Sequence, residues 1–253
     1  MVRGIDSFRK HFVGYEDCYT IIGGTACEIL MSDAALEFRA TKDIDIILLV
    51  EDRFVEFGKR FWAYIKEGGY RCGWKGNEAP EFFRFTEPAN HDYPLMIELF
   101  SRRPDFQANH PEIYLTPLPI ADDISSLSAI MLDDDYYQLM LTGRRSVNGV
   151  SVLDAEYLIV FKAKAWLDLS EKKAAGIHVN DRDLRKHRAD VFRLYNIIEP
   201  SKRIPLSGKV ASEMNQFLSI VGNSDLNIRQ YGITDLTMEE VIEDLRAIFE
   251  LNQ

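Results

Sequence analysis

The sequence is poor in cysteine. Its 253 residues include three cysteines, Cys18, Cys27 and Cys72, and no two of them have the CxxC spacing of a metal site. A disulfide framework and a cysteine-based zinc site are therefore not expected. Cys27 falls inside a predicted helix, where a small core residue is a better interpretation than a nucleophile. This cysteine usage predicts a reducing, cytoplasmic compartment.

Long apolar segments are also missing. No run of about 18 apolar residues occurs, so the sequence predicts no membrane span and no membrane partner. The first residues, MVRGIDSFRKHF, lack the apolar segment of a signal peptide. Hydrophobic residues make up 46% and charged residues 28%, which is typical of a globular protein.

An excess of positive charge is the third absence. The net charge is −10, which argues against wide, non-specific binding to nucleic acid. Basic residues do cluster locally, at Arg144-Arg145, at Lys172-Lys173 and between residues 182 and 188. Taken alone, each cluster is best interpreted as a solvated face, although a local basic groove stays compatible with the composition.

Residues 19–47 are the most informative stretch of the chain. A short apolar run, Tyr19–Ile22, predicts a buried strand that ends at Gly23-Gly24-Thr25. Residues 26–36 are predicted to be a helix, so the glycines should form a strand-to-helix turn. Glycines let the backbone approach a ligand closely, and the N–H groups of a following helix favour an anion.

Two acids follow this helix. The segment Arg39-x-Thr41-x-Asp43-Ile44-Asp45 leads into a predicted apolar strand. Asp43 and Asp45 are two residues apart on an extended segment, so their side chains should share one face. Neighbouring carboxylates repel each other unless a cation lies between them, and hard oxygen ligands suit Mg²⁺. The alternative is an ordinary strand–turn–helix followed by a solvated, acidic strand end.

The ordered pattern of Gly-Gly, helix and Asp-hydrophobic-Asp resembles the nucleotidyltransferase superfamily of DNA polymerase β and the CCA-adding enzymes. The longer pattern, from Gly23-Gly24-Thr25-Ala26 to Asp43-Ile44-Asp45, is similar to the AbiEii/MenT branch of toxin-type nucleotidyltransferases. The resemblance implies an α+β fold, with a polymerase β-like mixed sheet flanked by helices and a C-terminal helical bundle. It implies nucleotide contacts from Gly23, Gly24, Thr25, Arg39 and Thr41.

The same resemblance implies a third carboxylate on a later strand, beside the first pair. Glu98 in Pro94–Phe100 fits that place, because a carboxylate within an apolar strand is costly to bury without a partner. Asp43, Asp45 and Glu98 would then be catalytic and would bind two Mg²⁺ ions. The alternative is a glutamate on the wet face of an edge strand, with Asp92 as the reserve ligand.

The second half of the chain has a different pattern. Residues 144–153 predict a hairpin around the turn Asn148-Gly149, and helices are predicted from Asp154 onward, with a loop over the polar residues 170–180. The change predicts a nucleotidyltransferase α/β domain over residues 1–153 and a helical domain over residues 154–253.

Two helical motifs extend the resemblance into this half. Phe161-Lys162-Ala163 and the segment from Lys186 to Val191 are similar to two later motifs of the AbiEii-type families. On that alignment Lys162 would hold the nucleotide triphosphate, and Asp190 would belong to the same pocket. His187 replaces an expected aspartate, which leaves its role open. The alternatives are a snorkelling lysine and a Lys186/Asp190 pair on a surface helix.

The resemblance implies a Mg²⁺-dependent nucleotidyltransferase, which moves an NMP group from an NTP to a hydroxyl acceptor and releases pyrophosphate. A toxin-like enzyme would modify tRNA or a protein and would have an antitoxin as a partner. The acidic net charge favours a cationic small molecule, such as an aminoglycoside, as the alternative acceptor. A second alternative is an inactive member that binds a nucleotide or a partner protein.

Overall fold

The computed structural model describes residues 2–49, 53–71, 82–100 and 133–251. The sequence calls that involve Cys72 lie outside these residues. The chain divides into two compact units. The first contains the described residues up to Phe100 together with Arg144–Asp154, and the second contains the described residues 133–143 and 155–251.

The first unit is built on a mixed sheet of six strands in the order β3-β4-β2-β1-β6-β5. The strands are β1 Tyr19–Ile22, β2 Asp43–Leu48, β3 Phe82–Thr86, β4 Met96–Phe100, β5 Arg144–Val147 and β6 Val150–Leu153. The pairs β2–β4 and β1–β6 are parallel, and the other neighbours are antiparallel. The predicted hairpin is confirmed, since Asn148 and Gly149 both have the positive φ of a tight two-residue turn.

Within the described residues, this unit has the helices α1 Ile5–His11, α2 Gly23–Asp33 and α3 Phe54–Gly68. In α3 the aromatic residues Phe57, Phe61 and Tyr64 are fully buried at helical spacing, so one face of the helix packs into the core. Phe8 and Phe12 of the first helix contact this aromatic cluster. This core holds the sheet in place beneath the residues of the candidate site.

The second unit is helical. Its helices are α4 Asp134–Thr142, α5 Ala155–Ala174, α6 Asp181–Tyr195, α7 Gly208–Gly222 and α8 Met238–Ile248, with a 3-10 turn at Ile228–Tyr231. Helix α4 precedes the predicted domain boundary at residue 153, yet it belongs to this unit because it packs on α5 and α7. One such contact is the hydrogen bond that the Tyr136 hydroxyl donates to Glu213 at 2.6 Å. Within the described ranges, no helix is long and apolar enough to cross a membrane.

The predicted boundaries of two helices were wrong. Helix α2 spans Gly23–Asp33 rather than residues 26–36, so the two glycines form its first turn and it ends three residues early. Helix α5 continues to Ala174, through the first five residues of the segment 170–180 that was predicted to be a loop. The residues of Ser170–Ala174 include two lysines, a glutamate and an alanine, which are good helix formers even when they are exposed. The helix ends before Gly176, which has a φ of +80°.

Candidate functional site

The site begins where β1 runs directly into α2. Ile22 is the N-cap of this helix, and its apolar side chain offers no acceptor to the first N–H groups of the helix. Gly23 adopts a φ of +69°, a backbone conformation that a residue with a Cβ rarely adopts. The polypeptide therefore turns from strand to helix without a linker, and the positive end of the helix dipole lies at the edge of the sheet.

Asp45 lies against this turn. In the strand pairing Asp45 is opposite Ile22, and a Cβ added to Gly23 would lie 1.8 Å from Asp45 Oδ2. Only a glycine at position 23 leaves space for the carboxylate. An acid beside the first turn of a helix is electrostatically favourable, which offsets part of the cost of placing it near Asp43.

Arg39 and Thr41 lie over the second glycine of the turn. A Cβ on Gly24 would be 2.8 Å from Thr41 Cγ2 and 3.3 Å from Arg39 Nη2. The structure thus brings the turn together with Arg39 and Thr41, two further residues that the resemblance assigned to nucleotide binding. A guanidinium above the start of a helix is well suited to an anionic ligand.

Thr25 connects the helix to the strand that carries the acids. Its side chain is fully buried, and its hydroxyl donates to the backbone oxygen of Asp43 at 2.5 Å. The Thr41 hydroxyl lies 3.3 Å from the Thr25 hydroxyl. The Thr25 hydroxyl therefore helps to position Asp43, and its contact with a nucleotide stays a prediction.

Glu28 is a residue of this network that the sequence reasoning missed. It is 5% exposed, and its Oε2 accepts hydrogen bonds from Thr41 Oγ1 at 2.7 Å and from Thr41 N at 3.1 Å. Burial by itself raises the pKa of Glu28, but the hydrogen bonds to its carboxylate outweigh burial and lower the pKa. The sequence feature that could have identified Glu28 is an acid on the buried face of a helix, four residues after Gly24.

Asp43 and Asp45 share one face of β2. Both are half-buried, whereas Ile44 and Ile46, which alternate with them, are fully buried. Strand β4 runs parallel to β2 and places Glu98 opposite Asp45. Paired residues of neighbouring strands point to the same side of a sheet, so Glu98 shares this face with the two aspartates.

Glu98 is held by an arginine that the sequence reasoning also missed. Arg84 lies opposite Glu98 on β3, and its Nε donates to Glu98 Oε1 at 2.7 Å, with Nη2 as a second donor. The glutamate side chain is 9% exposed, so the alternative of a wet strand face does not describe it. The signal was a basic residue between the phenylalanines of Phe83-Arg84-Phe85, on the strand that pairs with an acid.

These side chains can be tested for their fit to Mg²⁺. Asp43 and Asp45 are half-buried carboxylates on one face, which are the hard oxygen ligands that Mg²⁺ takes. Glu98 uses Oε1 for Arg84, while its Oε2 makes no hydrogen bond within the described residues. As arranged, no group of three acidic, histidine or cysteine side chains among those residues could hold a metal ion. Binding of Mg²⁺ by Asp43 and Asp45 stays a prediction, and a role for Glu98 depends on its second oxygen.

In the second unit, the structure brings together Lys162 and Asp190. Lys162 Nζ lies 3.1 Å from Asp190 Oδ2, and Arg193 Nη1 lies 3.4 Å from Asp190 Oδ1. Lys162 is 4% exposed and Asp190 is fully buried, so neither the snorkelling lysine nor the surface Lys186/Asp190 pair describes this arrangement. Contact between Lys162 and a triphosphate stays a prediction.

Comparison with known proteins gives a likeness to solved structures only. No family model matches the chain, and no curated protein matches it. Among solved structures it is similar to an antigenic nucleotidyltransferase-like protein from Paracoccidioides brasiliensis, with 13% identity and a TM-score of 0.48 over 97% of this chain and 91% of that chain. At that identity and score, the likeness carries no argument about residues or activity. Membership of the AbiEii/MenT branch therefore stays a prediction.

The contact between Gly23 and Asp45 leads to a first prediction. Gly23→Ala should lower the free energy of unfolding by about 1–2 kcal/mol, because an alanine is strained at positive φ. The added Cβ should also displace the Asp45 carboxylate, so Mg²⁺-dependent nucleotide binding should be lost. Thermal unfolding and nucleotide titration with and without Mg²⁺ would measure the two effects.

Gly14→Ala is the matched control for this variant. Gly14 has a φ of +81°, and a Cβ there would meet nothing within 4 Å. The control should show the same backbone strain and full nucleotide binding. If both variants bind nucleotide equally well, the closeness of Gly23 and Asp45 has no functional role.

Proposed function

We propose that this chain is a Mg²⁺-dependent nucleotidyltransferase, which moves an NMP group from an NTP to a hydroxyl acceptor and releases pyrophosphate. The observation that carries the proposal is the placement of the Asp45 carboxylate against Gly23, at the first turn of α2. A helix start favours phosphate, and a pair of carboxylates favours a divalent cation. A metal-bound triphosphate contains both a phosphate and a divalent cation, so it fits the place where Asp45 meets the start of α2.

Each residue of the first unit has a separate proposed role in binding the metal–nucleotide complex. The backbone N–H groups at Gly24 and Thr25, with the Arg39 guanidinium above them, would donate to the terminal phosphates. Asp43 and Asp45 would hold Mg²⁺, which when bound neutralises phosphate charge and supports departure of pyrophosphate. Thr25 would fix the strand that carries Asp43, through its bond to the Asp43 backbone oxygen.

Glu98 is the residue proposed to act on the acceptor. Arg84 fixes the carboxylate through Oε1, so that Oε2 can accept the proton of the attacking hydroxyl. The resemblance assigned Glu98 to a second metal ion; with Oε1 on Arg84, Oε2 is the atom proposed to receive the proton. The acceptor is proposed to be tRNA or a protein, with a cationic small molecule as the alternative. An antitoxin partner and a cytoplasmic location stay proposals of the same kind.

A second candidate function is favoured by the same ion pair. A carboxylate that is already neutralised by Arg84 suits a chain that binds a metal–nucleotide complex at Asp43 and Asp45 and does not transfer it. This chain would be a nucleotide-binding protein, and its partner would recognise the bound state.

One experiment separates the two candidates. Each NTP, labelled either at the α-phosphate or at the γ-phosphate, is incubated with Mg²⁺ and with separate pools of tRNA, protein and small molecules. A nucleotidyltransferase transfers the α label and not the γ label. Binding without transfer in any pool would support the second candidate, and the absence of Mg²⁺-dependent nucleotide binding would overturn both.

The role of Glu98 gives the next prediction. Glu98→Gln should lower kcat by about 10²–10⁴-fold, the contribution of a general base, while the Kd for NTP changes little. Glutamine keeps the size of the side chain and an acceptor for Arg84. Glu87→Gln, at an exposed glutamate that pairs with Arg71, is the control and should leave both constants unchanged. An equal loss of affinity and turnover would place Glu98 in the nucleotide site instead.

A further inference from the structure

The second unit contains a cavity of about 230 Å³ between α5 and α6. On α5 it is lined by Trp166, Ser170 and Lys173, at the spacing of one helix face. The lining residues of α6 include Leu184, Arg185 and Arg188, again on one face. None of these residues belongs to the candidate site of the first unit, so the cavity requires its own explanation.

The cavity is positively charged in a chain whose net charge is −10. Three cations line it, and Asp181 is the acid that accompanies them. Lys173 Nζ lies 2.5 Å from Asp181 Oδ1, and this hydrogen bond lowers the pKa of Asp181. Lys173 and Asp181 thus neutralise each other. Arg185 and Arg188 make no salt bridge with any described residue, which leaves two guanidinium charges at the cavity.

Arg188 has an unsatisfied donor. Its Nε is buried, and within the described part of the chain no acceptor lies in hydrogen-bond reach of it. A buried N–H without an acceptor lowers stability, and such groups are rare in folded proteins unless a ligand or water satisfies them. An anion with several oxygens in this cavity would satisfy Nε and compensate the charge. A phosphate group matches the planar donor pattern of arginine well.

Two apolar side chains also line the cavity, Trp166 on α5 and Leu184 on α6. Trp166 is half-buried, and its ring packs edge-on against Phe217 with centroids 5.4 Å apart, which fixes its orientation. Leu184 continues the apolar surface from α6. A ring held in this way offers a surface on which a nucleobase can stack. At about 230 Å³ the cavity is smaller than most ligand pockets, and it suits one phosphate with one ring.

We propose that this cavity binds a nucleoside phosphate, with the phosphate on Arg185 and Arg188 and the base against Trp166. The ligand is either a free nucleoside monophosphate or one residue of an RNA strand, which share this chemistry. The proposal goes beyond the transferase function, because it uses residues of the second unit alone and holds whether or not the first unit transfers a nucleotide.

The test is calorimetric titration of the full chain in EDTA, so that the proposed Mg²⁺-dependent site of the first unit does not contribute. The probes are inorganic phosphate, UMP and a short oligouridylate. UMP should bind more tightly than phosphate. Arg188→Gln should weaken all three at least about tenfold, the effect of losing a hydrogen bond to a charged group. Trp166→Ala should weaken UMP and leave phosphate nearly unchanged.

Arg182→Gln is the matched control, because Arg182 is an exposed arginine of the same helix that does not line the cavity. It should bind all three probes like the unchanged protein. Thermal unfolding without ligand shows whether each variant folds. Arg188→Gln removes an unsatisfied buried donor, so its Tm should not fall. Arg185→Gln, at an exposed position, provides a second variant that should also weaken binding.

The outcomes are distinct. Equal affinity for UMP and the oligouridylate supports a free nucleotide as the ligand, whereas tighter, salt-sensitive binding of the oligouridylate supports an RNA strand. The proposal is overturned if none of the probes binds, if Arg185→Gln and Arg188→Gln both bind like the unchanged protein, or if Arg182→Gln weakens binding as much as they do.

Discussion

Asp45→Asn is expected to lower Mg²⁺-dependent nucleotide transfer by at least about 10²–10³-fold, the scale of losing one preorganised electrostatic contact in an active site. The asparagine keeps the shape of the side chain that lies against Gly23, so the fold should survive. Asp43→Asn should have the same effect, because both carboxylates are proposed to hold the same ion. Transfer from α-labelled NTP across a Mg²⁺ titration is the measurement.

The stability of Asp45→Asn should change little, for a physical reason that can be checked. The substitution removes the repulsion between Asp43 and Asp45, which raises the free energy of unfolding. It also removes an acid from the start of α2, which lowers that free energy by about 0.3–1 kcal/mol. The two effects oppose each other, and the Tm should stay near that of the unchanged protein.

Asp92→Asn is the control for both aspartate variants. Asp92 is exposed in the loop before β4 and was the reserve ligand of the sequence analysis. The control should retain full transfer. Full Mg²⁺-dependent transfer by Asp45→Asn would end the proposed mechanism, and loss of transfer in Asp92→Asn alone would move the metal site to the reserve residue.

The second large effect is expected in the helical unit. Asp190→Ala should lower the free energy of unfolding by about 3–5 kcal/mol, because it leaves the Lys162 ammonium buried without the carboxylate 3.1 Å away. Denaturant unfolding would measure the loss. The double variant Lys162→Met/Asp190→Leu should recover much of it, because well-packed apolar side chains often replace a buried ion pair at little cost.

Lys162→Met separates a structural role from a role in binding the triphosphate. If the lysine also contacts the β and γ phosphates, NTP affinity should fall by about 1.5–3 kcal/mol, while NMP affinity changes much less. If it serves only the ion pair, stability falls and the affinities for NTP and NMP are unchanged. Lys186→Met, on the same helix as Asp190, is the control and should change neither quantity.

Several parts of the first unit followed from the sequence because they depend on neighbours in the chain. Asp43 and Asp45 share a face because successive side chains of any extended strand alternate, which requires no knowledge of the fold. The hairpin at Asn148-Gly149 followed from a turn that only a few residues can form. The sequence also predicted that the two glycines lie where the strand passes into the helix. In the structure they form the first turn of α2 instead of a separate turn before it.

The partners of the charged residues were decided by the tertiary structure. Arg84 meets Glu98 because of the register of two antiparallel strands, and Thr41 meets Glu28 because the chain returns across α2. Spacing along the sequence does not determine such pairs, since the register depends on how the whole sheet packs.

The second unit shows the same division. The sequence by itself predicted that this half is helical, and the resemblance singled out Lys162 and Asp190. Only the packing of α5 against α6 decided that they bury each other, and that Arg188 is left with a buried donor beside Trp166. Local periodicity fixes which face of a helix is apolar, whereas the contact between two faces depends on the crossing of the helices.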